Sequence, residues 1–270
     1  MNEPMRGTAE LEIFDAGIAV VRFSNPPEGY MDEGTVTQLA DIIARIEADD
    51  QIRACVLTGA QDGVFIRHFD VRVLEMRSRM LREKGKRFTL DRLVPEPALH
   101  ALMRRMEESH LPYIAAINGT AMGGGFELCL ACDIRLAQAG DYSLGLPEIN
   151  LGLLPGAGGT QRLTQLVGAS RALHLMLTGT TLTPEMAEKL GLVSTCVDAP
   201  VLQEAIALAR TIAAMPARAV GHIKQLVRMS GVDPAAMAAE RTLFCDLMVS
   251  DKAINLMARM NSGSNDIRNP

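Results

Sequence analysis

The chain has 270 residues, 48% of them hydrophobic and 22% charged, with a formal net charge of −5. This is a folded globular composition, not that of a disordered or collagen-like chain, and the length suits one large core plus an appendage. The acidic balance, zero Trp and 4% aromatics argue against a nucleic-acid binder, which needs basic stripes or stacking platforms.

Residues 11 to 23 read as two apolar runs around Asp15, Ala16 and Gly17, a hairpin signal. Val36, Leu39, Ile43 and Ile46 then recur at helical spacing, and RACVLTG (53 to 59) returns to a short buried strand closed by glycine. Between 67 and 105 the charge becomes uneven, with eleven Lys or Arg against five acids. Val73, Met76 and Met80 are read there as an apolar helical stripe opposite the arginines, which makes a solvated face; the alternative is an electropositive lip for a phosphate-bearing ligand. A further strand is expected at 113 to 119, followed by a glycine break, a helix over ELCLACDI and another strand at RLAQ, so parallel strands with helical crossovers follow. From residue 201 the pattern is almost wholly helical, and the chain is divided into a core over 1–200 and a helical layer over 201–270.

Several motifs are missing. No Walker A, GxGxxG or HExxH sequence occurs, and Ser143 in DYSLG falls short of a nucleophile elbow. The five Cys are few, odd in number and mostly set in apolar runs, which suits reduced thiols; Cys129 and Cys132 have the spacing of half a zinc ribbon without a second half, so no metal is expected. The segment MNEPMRGTAELEIF lacks an apolar leader core, and no stretch approaches the ~18 apolar residues of a membrane span. The expectation is a cytoplasmic protein that does not span a membrane.

The informative stretch is INGTAMGGGFELCLACDIRLA (117 to 137), where a strand runs through three glycines into a helix. Glycines there let backbone N–H groups approach a ligand, and the helix amino terminus adds about half a positive charge, which together make an oxyanion site. Glu127 in the first helical turn reads either as a reacting acid or as an ordinary answer to the helix dipole. Glu148, in LGLPEINLGLLPGAGGTQRL (144 to 163), is a second candidate and could alone be a loop acid.

At these residues the chain resembles the crotonase superfamily of enoyl-CoA hydratases and isomerases. NGTAMGGGFELCLACDIRLA looks like that family's NGxAxGGGxELAxxCDxRxA signature, and LPEINLGLLPGAGGTQRL looks like PExxLGxxPGxGGTQRL. The tract 177 to 197 and the hairpin at 11 to 23 are also similar, so the resemblance covers most of residues 11 to 230. It implies an α/β fold, a spiral of ββα turns with a helical carboxy-terminal trimerisation region, assembled as homotrimers or hexamers on acyl-CoA thioesters, with CoA as part of the substrate and no separate cofactor. Leu243, Phe244, Leu247 and Met248 are expected to meet a neighbouring subunit.

The same resemblance implies Gly124 and Phe69 as the two oxyanion N–H donors, Glu127 as the base that activates water and Glu148 as the group that protonates C2. Gly123, Pro147, His68 and Asp70 are assigned to the thioester and CoA site, and the backbone of Gly29, Tyr30 and Met31 to the adenine. Phe126, Leu128, Leu146 and Ile149 are the apolar neighbours expected to desolvate the acids. Three departures are visible: His68 stands where the family has glycine, Asp32 replaces an Asn, and the tract from about 77 to 100 is longer and more basic. His68 implies a rearranged loop or an incomplete hole, and its role is read as structural. Hydration of a 2-enoyl-CoA leads. The alternatives are isomerisation, thioester hydrolysis or carbon-carbon cleavage, and an acyl-CoA-binding protein with little catalysis.

Overall fold

The computed structural model describes residues 7–198, 200–229, 234–264 and 266–268, with the side chains of 229 and 236 excepted; the first six residues of the leader reading lie outside this set. Two sheets carry the fold. The larger joins β1 (Thr8–Phe14), β2 (Ile18–Ser24), β3 (Ala54–Gly59), β5 (Tyr113–Ile117), β7 (Ile134–Gln138) and β9 (Thr195–Val197) in the order β1-β2-β3-β5-β7-β9, parallel except for the β1–β2 hairpin. The smaller joins β4 (Gly63–Ile66), β6 (Gly119–Met122) and β8 (Leu144–Gly145), all parallel. After the β1–β2 hairpin and its helix, the later passes lay one strand in each sheet, β3 with β4, β5 with β6 and β7 with β8, before turning into helix, which is the ββα spiral.

The apolar runs have no polar face because the large sheet is covered on both sides. Along β2, Ala19, Val21 and Phe23 enter the main core while Ile18 and Val20 enter a second one; β3 and β5 divide their side chains in the same alternation. The main core also takes Val36, Leu39, Ile43 and Ile46 from α1 (Glu33–Glu47), Leu102, Met103 and Met106 from α3 (Ala98–Glu108), and α4 (Gly124–Ala131), every residue of which is buried. Asp32 caps α1 by accepting from the Thr35 N–H at 2.7 Å, which gives the replaced Asn position a local role. The second core is closed by α8 (Val201–Ala213), through Val201, Ala205, Ile206 and Ala209. This first carboxy-terminal helix therefore shares the sheet's core and is not a separate layer.

A strand over 113 to 119 followed directly by a glycine break is too simple: the chain crosses from β5 into β6 of the second sheet before the glycines. The face expected of α2 (Val71–Glu83) also differs. Met76 and Met80 are 67% and 44% exposed, whereas Val71 and Ser78 are buried and Leu74 and Leu81 pack toward α11 (Asp251–Ser262). A small polar residue, Ser78, lies on the buried face because its hydroxyl donates to the Leu74 carbonyl at 2.8 Å. The remaining helices are α5 (Gly159–Val167), α6 (Ala169–Thr178), α7 (Pro184–Lys189), α9 (Ala217–Met229) and α10 (Pro234–Met248). Among the described residues no helix is long and apolar enough to cross a membrane. Cys129 and Cys132 are buried free thiols.

Candidate active site

The amino terminus of α4 is built by glycines for steric reasons. Gly123 sits at φ +50° and ψ −131°, a conformation that L side chains rarely adopt, and a Cβ on Gly125 would lie 2.2 Å from the Ile66 carbonyl oxygen. A Cβ position on Gly124 would lie 3.4 Å from the Phe69 Cβ and 3.8 Å from the Phe69 nitrogen, so the two residues expected to donate adjoin one another. Among the described residues, neither the Gly124 nor the Phe69 N–H donates to a protein acceptor. Next to them, the Cβ direction of Gly123 points at Glu148, 3.1 Å from its Oε1. The structure therefore gathers Gly123, Gly124, His68, Phe69 and Glu148 at one end of α4.

Glu127 and Glu148 are 2% and 7% exposed, but they are held differently. The Oε1 of Glu127 accepts from the Ala157 N–H at 2.7 Å and the Gly159 N–H at 2.8 Å; among the described residues no protein donor reaches its other oxygen. Burial, and then the charge of Glu240, raise its pKa to about 7 against the lowering effect of those two N–H groups. Glu148 begins a 3-10 turn, Glu148–Leu151, behind the buried Pro147, and among the described residues its buried Oε2 has no hydrogen-bond partner. Burial first and the Glu127 charge second push its pKa well above the carboxylate range. Of the expected apolar neighbours, Phe126, Leu128 and Leu146 are buried, but Ile149, in the 3-10 turn, is 40% exposed.

His68 occupies the glycine position without a positive φ. Its carbonyl accepts from the Met31 N–H at 2.9 Å, and the Asp70 N–H donates to the Met31 carbonyl at 2.8 Å, so the bridge to Met31 fixes the peptide plane around Phe69. The imidazole is buried, stacked on Tyr30 at 4.4 Å with 26° between planes, and its Nδ1 pairs with the Phe69 carbonyl at 2.8 Å. Burial lowers its pKa to about 4, so the ring is neutral at pH 7. The loop is thus ordered by ordinary backbone geometry and a ring stack, where a rearranged or incomplete hole was expected. Asp70 caps α2, accepting from the Arg72 N–H at 2.9 Å and pairing with the Arg72 guanidinium, which in turn lies over the Tyr30 ring at 5.4 Å.

The adenine expectation meets a more enclosed surface than the sequence suggested. Gly29, Tyr30 and Met31 are buried, and their carbonyls already accept from the Arg67 N–H, the Asn25 amide and the Asp70 N–H, at 2.8 Å each. Each carbonyl keeps only a second lone pair for a ligand. In the basic segment most arginines are paired: Arg77 with Glu33, Arg79 with Glu75, Arg82 with Asp251, Arg104 with Glu96 and Arg105 with Glu47. This favours the solvated-face reading and narrows a phosphate lip to Arg67, Lys84, Lys86, Arg87 and Arg92. A cavity of about 690 Å³ opens elsewhere, between the ends of α1, α3 and α9, and none of its walls belongs to this site.

Two functional features escaped the sequence reading. One is the pair of N–H groups at Ala157 and Gly159 that grips Glu127, for which the glycine run GAGG is the available signal. The other is Glu240, 5% exposed, which arrives from α10 to accept from the Gly158 and Thr160 N–H groups and the Thr160 hydroxyl. Its local signal is a single acid after PAAMAA in an apolar helix. Arg162 is buried beside it, bonded to the Ala157 carbonyl at 2.7 Å and paired through two bonds with Glu107. Among the described residues no cluster of three or more His, Cys, Asp or Glu side chains is arranged to hold a metal ion.

The family model described as enoyl-CoA hydratase/isomerase matches residues 13–262. The fatty acid oxidation complex subunit alpha of Idiomarina loihiensis is 34% identical over 200 residues, which are 71% of this chain and 26% of that protein. The chain thus spans about a quarter of the length of that relative. Among solved structures, DspI of Pseudomonas aeruginosa superposes with a TM-score of 0.72 at 30% identity, over 85% of this chain and 89% of that one. An enoyl-CoA hydratase of Bacillus anthracis gives a TM-score of 0.73 at 27% identity, over 94% of this chain and 96% of that one.

Proposed function

Since the chain belongs to the enoyl-CoA hydratase/isomerase family of the crotonase superfamily, we propose that it is a hydratase, adding water reversibly across the double bond of a 2-enoyl-CoA. The observation that carries this reading is the pairing of two buried carboxylates of unequal proton affinity with two unpaired N–H groups at the end of α4. Water addition to a conjugated thioester requires a base for water, an acid for the α-carbon and dipoles for the enolate oxygen. Glu127, with its pKa near 7, is ionised often enough to take a proton from water through its free oxygen. Glu148, whose proton is retained more strongly, delivers one to C2. Gly124 and Phe69 hold the thioester oxygen as negative charge develops on it. Two titratable groups pushed apart by their surroundings define such acid and base roles.

The fatty acid oxidation subunit among the relatives supports a fatty acyl group on the thioester, with CoA entering as part of the substrate. We also propose a homotrimer or hexamer. Of the four contact residues expected, Leu243 is 42% exposed, Met248 is buried in its own subunit, and Phe244 and Leu247 pack against the same core. Contact surface is instead offered by Leu173 and Leu177 on α6 and by Ile223 and Leu226 on α9, each more than half exposed.

Incubating the protein with a panel of 2-enoyl-CoA and 3-enoyl-CoA thioesters and reading the products by mass spectrometry tests the reading. Hydration adds the mass of one water to the 2-enoyl substrates. A product of unchanged mass from the 3-enoyl set, with no water gained by any 2-enoyl thioester, would replace hydration by isomerisation.

A further inference from the structure

The four consecutive N–H groups of Ala157, Gly158, Gly159 and Thr160 alternate between two buried acids. Those of Ala157 and Gly159 point to Glu127 Oε1, at 2.7 and 2.8 Å. Those of Gly158 and Thr160 point to Glu240, which also takes the Thr160 hydroxyl. A single short segment is thus clamped from both sides, by α4 within the spiral and by α10 from the carboxy-terminal helices. From this geometry we infer that Glu240 is a positioning residue for Glu127: it fixes the N–H pair that orients the Glu127 carboxylate, and its charge sets how readily that carboxylate takes a proton.

Three features support the inference beyond simple capping of α5. A cap needs only one acceptor at a helix amino terminus, whereas here a second carboxylate lies across the same peptide units from the first. Among the described residues no arginine or lysine bonds directly to the buried Glu240; the nearby guanidinium of Arg162 is committed to Glu107 and the Ala157 carbonyl. Its charge is therefore felt by its neighbours through a medium of low dielectric, and it stands second only to burial among the influences on Glu127. The other groups facing this cluster are Glu148 from the 3-10 turn, Arg162 from α5, Glu107 and His100 from α3, and Arg241 beside Glu240 on α10. His100 is held neutral by burial and the two arginines, with its pKa near 4, so it adds no charge to the cluster at neutral pH.

The inference rests on the reading of Glu127 as the base, and its test separates the two. The Glu127 carboxyl is titrated by carbon-13 NMR in the wild type and in Glu240→Gln, and kcat/KM for 2-enoyl-CoA hydration is recorded against pH for both. Removing the neighbouring negative charge lowers the Glu127 pKa by about one unit, and the acid limb of the rate profile moves to lower pH by the same amount. Glu240→Asp, which keeps the charge, restores most of the shift. If Glu240→Gln does not fold, Thr160→Val serves: losing the hydroxyl donor makes Glu240 hold its proton more tightly, so Glu127 again titrates lower, by less. A shifted Glu127 titration with an unmoved rate profile supports the positioning role and overturns Glu127 as the base. An unmoved Glu127 titration in a folded variant overturns the inference and reduces Glu240 to a cap.

Discussion

Glu127 and Glu148 are both buried, yet they sit in opposite kinds of surroundings. Glu127 is enclosed by donors, two N–H groups on one oxygen and a buried arginine nearby, and its proton affinity is brought back to about 7. Among the described residues, Glu148 has a buried oxygen with no partner and no group of opposite charge to offset its burial. The same buried side chain holds its proton less tightly where two backbone N–H groups of a neighbouring segment grip it than where an oxygen is left without a donor, and the proposed base and acid roles rest on that difference.

The largest expected effect comes from removing either proton carrier. Glu148→Gln and Glu127→Gln keep the shape of the site, and each should lower hydration turnover by roughly 10²- to 10⁴-fold while leaving CoA affinity within a few-fold in calorimetry, because general acid-base groups act mainly in the transition state. Were the reaction a proton shift along a 3-enoyl chain, Glu148→Gln would remain severe and Glu127→Gln become mild, which would break the comparison.

The next effect concerns pH. A base is active when deprotonated, so kcat/KM should fall below about pH 7, the Glu127 pKa, and fall again at higher pH where Glu148 loses its proton. Stability carries the opposite stamp. A carboxyl whose folded pKa is raised binds more protons in the native than in the unfolded state between about pH 4.5 and 7, so its contribution to stability declines as pH rises through that window. Both Glu→Gln variants should therefore melt higher than the wild type at pH 8, by about 2 °C for each ~1 kcal/mol relieved. A lower melting temperature for both would show that the acids stabilise the site they occupy.

Much of the spiral was legible in the sequence because its signal is local. The run IAVV of β2 has no polar side, which is what a strand covered on both faces requires, and the spacing of Val36, Leu39, Ile43 and Ile46 marks the buried stripe of α1. The α2 face was misjudged for a physical reason: its amphipathic pattern has two apolar sides, and only the tertiary contact with α11 decides that Leu74 and Leu81 turn inward. The two signature glutamates could be located by their motifs, but their unequal environments could not. Glu240 lies 80 residues beyond the N–H groups it binds, and the ring stack that lets His68 replace glycine depends on Tyr30 folding back across the loop.

Two smaller effects sharpen the contrast at its edges. His68→Ala removes the ring under Tyr30 and should destabilise the protein by about 2 to 3 kcal/mol in denaturant unfolding, with a loss of turnover as the Phe69 N–H loses its fixed place; unchanged stability would mean that the Met31 bridge alone orders the loop. The smallest effect is expected from Lys86→Glu, which should weaken CoA binding a few-fold and more at low salt if that exposed cation serves a phosphate. Unchanged affinity would confine the basic segment to a solvated face.

The division of labour between the two acids is tested most directly by following the protonated-carboxyl C=O band in difference infrared spectra as the pH is raised, wild type against each Glu→Gln variant. The account predicts that the band persisting to the higher pH is abolished by Glu148→Gln and kept, fading at somewhat lower pH, in Glu127→Gln. A high-pH band abolished by Glu127→Gln and kept in Glu148→Gln would contradict it, because the base would then be the acid that holds the proton.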